Sequence, residues 1–176
     1  MAESRVKLNM NQTLTHFWVV IFLIIIPIGS FFVQFFMRLK NNTIQPYKAY
    51  DWYLFWAIIP AILFYFIQRQ RLLYKSYACK VTVDEFDEAL LRYMDKLNLN
   101  KVNIRPGFFQ ARRHKDWSSS WGEMITIKHS PDGVMINSIC DPDKQSSVIS
   151  YGMNKGNISI FLEELNNVVN KISVQK

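Results

Sequence analysis

Two stretches of the chain, FWVVIFLIIIPIGSFFVQFFM (17–37) and WYLFWAIIPAILFYFI (52–67), carry no charged side chain and are apolar on every side. A helix on a soluble core keeps a polar stripe, and neither stretch has one. Crossing a bilayer takes ~20 mostly apolar residues. The first stretch is long enough, and Ala49 and Tyr50 extend the second if its helix tilts. The pattern predicts an N-terminal tail, 1–15, and a transmembrane hairpin, 16–70, with helices at about 16–38 and 49–68. A cleaved leader is not expected, because its apolar run is ~7–15 residues and ends in small side chains; this one ends in FFMRLK. Pro27, Gly29 and Pro60 interrupt the apolar windows. Without a membrane-buried acid or base they do not suggest an ion pathway.

Beyond residue 75 the pattern changes. VTVDEFDEALLRYMDKL opens with Thr82 and Glu85 at the spacing of a capping box. Phe86, Leu90, Tyr93, Met94 and Leu97 then share one helical face. Its crowded acids, Asp84, Glu85, Asp87 and Glu88, read as a helix start matched to the dipole rather than as catalytic carboxylates. Strands are expected at 107–114, with an extended piece at 101–104, and at 124–128 and 134–140. Pro131, Asp132 and Gly133 mark a turn that joins the last two as a hairpin. VISYG (148–152) is a candidate final strand. GNISIFLEELNNVVNKI closes the chain as an amphipathic helix, with Asn157 as its expected N-cap. The expectation for 76–176 is an α+β domain of two layers: helix, three or four antiparallel strands, helix.

The net charge of +7 suggests nucleic acid until it is split by region. Residues 81–176 hold equal numbers of acids and bases, so the excess lies beside the apolar windows. A neutral domain argues against a large phosphate footprint and disfavours nucleic acid. The two tails carry more Lys and Arg near the membrane ends than the linker does. The positive-inside rule then puts both termini in the cytoplasm, and the expected location is a bacterial inner membrane, multi-pass. Cys79 and Cys140 are expected as reduced thiols.

WGEMITI (121–127), INSICDP (136–142) and SYGMNKGNISIF (150–161) resemble a family of small bacterial membrane-anchored α+β domains. Its members carry Trp-Gly-Glu before a strand, Ser-x-Cys near the end of the next, and Gly-x-Asn-x-x-Asn into a last helix. The resemblance covers about 101–165 and implies a shape without a chemistry, since no activity is assigned to the family.

Candidate contacts follow from residue types. Arg105, Arg112, Arg113, Lys115 and Trp117 could meet anionic lipid headgroups, at ~1 kcal/mol per basic residue near the surface. Gly152, Asn154, Gly156 and Asn157 could bind phosphate at a helix start. Trp121 is expected to be buried, while Gly122 and Gly133 supply backbone freedom. Ser118, Ser119 and Ser120 with His114 and Asp116 lack a nucleophile elbow. Cys79, His114, His129 and Cys140 lack zinc-ligand spacing. No catalytic residue, metal or cofactor is therefore expected. The sequence favours a non-enzymatic membrane protein whose cytoplasmic domain binds a protein partner or forms a homo-oligomer. The alternative is a membrane effector that senses a small anionic ligand or headgroup.

Overall fold

A computed structural model describes residues 5–41, 54–97, 99–113, 122–144 and 153–174. Its centre is a five-stranded antiparallel sheet: β1 (Lys75–Ala78), β2 (Asn100–Arg105), β3 (Phe108–Arg113), β4 (Glu123–Ser130) and β5 (Gly133–Cys140), in the order β1-β5-β4-β3-β2. The expected hairpin is β4–β5, paired from Glu123 with Cys140 to Ser130 with Gly133. Five strands replace the three or four read from the sequence. The extra one, β1, comes before the first domain helix. KSYA is four residues long with no apolar alternation to reveal it. The candidate strand at 148–152 lies outside the described residues.

Gly133 explains how β1 reaches the hairpin. Its φ is +140°, and a Cβ there would sit 2.1 Å from the Tyr77 carbonyl oxygen. A side chain at this position would push the edge strand away.

Alternation along the strands gives the sheet two faces. On one, Phe109, Ala111, Ile125, Ile127, Val134 and Ile136 are buried under two helices. The first, α4 (Val83–Leu97), contributes Phe86, Ala89, Leu90 and Tyr93. The last, α5 (Met153–Val174), contributes Ile158, Phe161, Leu165 and Val168. Full burial of such side chains supplies ~1.5–3 kcal/mol each. The α4 capping box forms as expected, with Thr82 N donating to Glu85 Oε2 at 2.8 Å and Glu85 N to Thr82 Oγ1 at 3.3 Å. Lys96 at the end of α4 bonds Glu164 of α5 at 2.9 Å and ties the helices together. The start of α5 differs from the expectation. Asn157 is not its cap but lies one turn inside, 1% exposed, and Gly156 is also helical. Tertiary bonds to Asn157 outweigh its preference for a helix start.

The other face meets the N-terminal part of the chain. Val6 and Leu72 pack on Met124 and Ile139, joined by Leu8, Phe17 and Tyr74. Val6 N donates to Leu72 O at 2.9 Å, and Arg5 bridges Leu73 antiparallel. No local pattern in residues 5–8 reveals that they belong to this body. After them, Asn9 caps α1 (Met10–His16) with a complete capping box, and α2 (Trp18–Asn41) follows.

Within α2, Trp18–Lys40 is the one described helix long and apolar enough to cross a membrane. Its large apolar side chains, from Phe22 to Leu39, are mostly exposed. A short 3₁₀ turn (Leu54–Ala57) leads into α3 (Ile58–Arg71), which packs against α2. The described α-helix begins at Ile58, and the expected start at residue 49 lies outside the described residues. Pro60 falls in its first turn, where the missing N–H costs nothing. Residues 42–53 between the helices lie outside the described residues.

Candidate binding site at the junction of helix and sheet

Among the described residues, Arg105, Arg112 and Arg113 of the sequence-predicted basic cluster do not converge. Arg112 and Arg113 are adjacent in β3, so their side chains leave opposite faces of the sheet. Arg112 pairs with Asp143 and approaches Asp141 at 3.8 Å. Asp141 is 1% exposed and accepts a hydrogen bond from Asp143 N. Arg112 thereby holds the turn after β5. Arg113 points to the helix side, where Nη1 donates to Asn157 Oδ1 at 3.2 Å. Arg105 is exposed at the end of β2, the far edge of the sheet. Gly122, with φ +101°, is buried, and a Cβ would lie 3.0 Å from Arg113 O. Lys115, Trp117, Trp121 and Gly152 lie outside the described residues.

A different set of residues does converge. β1 begins at Lys75, opposite Ile136, so β5 continues past it from Asn137 to Cys140. The space beside this extension is a cleft of about 250 Å³ between the end of α3 and the first turns of α5. Leu73, Ile136 and Ile158 give it apolar walls, and Asn137, Ser138 and Asn154 give it polar ones. Arg71, Lys75 and Lys155 bring basic side chains from three elements, and no acid lines it among the described residues.

Hydrogen bonds fix this geometry. Asn137, 3% exposed, donates from Nδ2 to Arg71 O at 2.7 Å and to Leu73 O at 2.8 Å. Two carbonyl partners leave only one way to orient the amide. Its Oδ1 has no hydrogen-bond partner among the described residues. On the helix side, Ser138 Oγ donates to Asn154 Oδ1 at 3.2 Å and accepts from Asn157 Nδ2 at 3.3 Å. Arg113 completes a chain of polar contacts that pins the first turns of α5 to the sheet.

These contacts do not build an activated nucleophile. Ser138 donates to an amide oxygen rather than a base. His129 is engaged with Val81 O at 2.7 Å, and His16 with Gln68 O at 3.1 Å. Burial pushes the Cys79 thiol up, away from the thiolate form that reacts. Both cysteines are free. Among the described residues, no group of three or more His, Cys, Asp or Glu is placed to hold a metal ion.

Charge is divided across the molecule. No Asp or Glu occurs from residue 5 to 41 or from 54 to 80, while Arg5, Lys7, Arg69, Arg71 and Lys75 gather near the helix ends. Most domain acids are on α4 and α5, across the sheet. The +4 charge of residues 69–80 was visible in the sequence, but Lys155 joins it only through the topology. No protein-family model, curated protein or solved structure matches the chain.

Proposed function

We propose that the chain is a multi-pass protein of a bacterial inner membrane, with both termini in the cytoplasm, and that it has no enzymatic activity. The helices at about 16–38 and 49–68 form its transmembrane hairpin. The α+β domain is held against the cytoplasmic leaflet and presents its acidic helix layer to a protein partner or a second copy. The observation that carries this reading is the clamp between helix ends and sheet. Asn137 grips the end of α3, and Leu72 and Phe17 pack with Met124 and Ile139 on the same face. His16 and Gln68 close the pair of helix ends on each other. A domain fixed this closely orients whatever binds its outer layer. The cations around the helix ends suit an anionic leaflet, at ~1 kcal/mol per residue.

The test is crosslinking of full-length protein in intact membranes, followed by purification in mild detergent. A defined homo-oligomer or a stoichiometric partner, weakened by reversing Asp87 and Glu88 to lysine, is the expected result. A lone monomer would contradict the reading. Labelling of Thr43→Cys from the outside of intact cells checks the topology, and protection of that cysteine would reverse the assigned orientation.

A further inference from the structure

We infer that the groove between α4 and the edge strand β2 is the contact surface of a side-by-side homodimer, in which Asp87 of each copy meets Arg105 of the other. This rests on the reading above and names its partner as a second copy of the chain. Among the described residues β2 is the last strand of the sheet, with a neighbour on one side. Ile104 pairs with the buried Phe109, so its side chain leaves the sheet on the helix side. It is nevertheless 46% exposed, and Leu91 on α4 is 57% exposed. Val83, Leu91 and Ile104 are the large apolar side chains exposed in the described part of the α+β domain. Two of these three border one groove of about 340 Å³, which Met94 and Phe109 also line. Apolar surface left open in one place marks a contact with another protein.

Charge selects the occupant. The charged residues of the lining are one acid, Asp87, and one base, Arg105, both exposed. A two-fold interface sets residue i against j and j against i, so such a patch is complementary to itself. A partner of uniform charge would meet one like charge here. Membrane geometry makes the same selection. The axis of a two-fold dimer passes along its interface. Copies meeting through the outer surfaces of α4 and α5 would have that axis parallel to the bilayer, and the second hairpin would point away from the membrane that holds the first. A contact at the edge of the sheet lets the axis follow the membrane normal, and both hairpins enter one bilayer. The register shift between Lys101 and Asn103 interrupts the edge, and such bulges disfavour strand-to-strand pairing. The groove side chains therefore make the contact, rather than a ladder continued from copy to copy.

The test uses full-length protein. With Cys79 and Cys140 replaced by alanine, Ile104→Cys is treated in intact membranes with a short bismaleimide and compared with Ala78→Cys, exposed on the opposite edge strand. The expected result is a crosslinked dimer through position 104 and none through position 78. Charge reversal then identifies the partner. Dimer dissociation is measured in mild detergent for Asp87→Arg, for Arg105→Asp, and for an equal mixture of the two. Each variant alone turns two attractive contacts into repulsive ones and weakens the dimer by roughly fivefold or more. In the mixture every contact is again between opposite charges, so association returns to near the wild-type level. That rescue requires two copies related as inferred. A wild-type dimer indifferent to both reversals, or crosslinked equally through position 78, overturns the inference and leaves the proposed homo-oligomer standing. A monomer with a stoichiometric partner of another sequence overturns it and leaves the proposed binding role standing. A lone monomer overturns both.

Discussion

Replacing Asn137 by leucine probes the tie between membrane helix and sheet. The side chain makes two hydrogen bonds, to Arg71 O and Leu73 O, each worth ~0.5–1.5 kcal/mol net. A carbonyl left buried without a donor costs more, ~1–3 kcal/mol. Both acceptors belong to residues that line the open cleft, so water can reach them and the lower end applies. The expected loss is ~2–3 kcal/mol in local opening, or roughly thirty- to a hundred-and-fiftyfold in its equilibrium constant. The assay is amide hydrogen exchange on the full chain in nanodiscs. Two amides report on the joint directly: Val6 N, bonded to Leu72 O, and Leu73 N, bonded to Gln70 O. Both exchange faster by that factor in the variant, while the β3–β4 ladder stays protected. Unchanged exchange at Val6 and Leu73 refutes the reasoning. So does uniform loosening of the whole sheet, which would make Asn137 an ordinary core residue.

Two further outcomes follow from the helix layer. Tyr93 is fully buried, and its hydroxyl has no partner among the described residues. Tyr93→Phe relieves that cost and is expected to match wild type or gain up to ~1 kcal/mol in chemical denaturation; a loss above ~2 kcal/mol would show that the hydroxyl is bonded. The hydrogen bond from Lys96 holds Glu164 below its usual 4.5 and, in return, raises Lys96 above 10.5. The carboxylate contribution is therefore present above the ordinary carboxylate value and fades as pH falls through the lowered one. The lysine contribution is present below the ordinary lysine value and fades as pH rises through the raised one. Glu164→Gln melts lower than wild type near neutral pH, and the two curves converge in strong acid and strong base; a gap independent of pH would rule this out.

Features set by local chemistry were legible in the sequence. Thr82 and Glu85 announced the start of α4, and Pro131 to Gly133 announced the turn of the β4–β5 hairpin, because each needs only neighbours within a few residues. The α+β class and the long apolar helix followed from periodicity and length. What depended on distant partners was not readable. β1 is a strand because β5 and Gly133 accept it, and KSYA alone gives no sign of this. Asn157 looked like a cap until Ser138 and Arg113 placed it inside α5. Arg112 looked available for an anion until Asp141 and Asp143 met it across the sheet. The cleft is assembled from Arg71, Lys75, Asn137 and Lys155, which no spacing rule connects.

The central claim is that the sheet face bearing Val6 and Leu72 is turned to the bilayer, with α4 and α5 outermost. Fluorescence quenching tests it most directly. Cys79 and Cys140 are replaced by alanine, and one fluorophore is placed at Ser76→Cys or at Asp95→Cys. Ser76 is exposed and pairs with Met135, on the face opposite the helices. Asp95 is exposed on α4. In nanodiscs with nitroxide-labelled headgroups, the account predicts strong quenching at position 76 and little at 95. Equal quenching, or stronger quenching at 95, would contradict it.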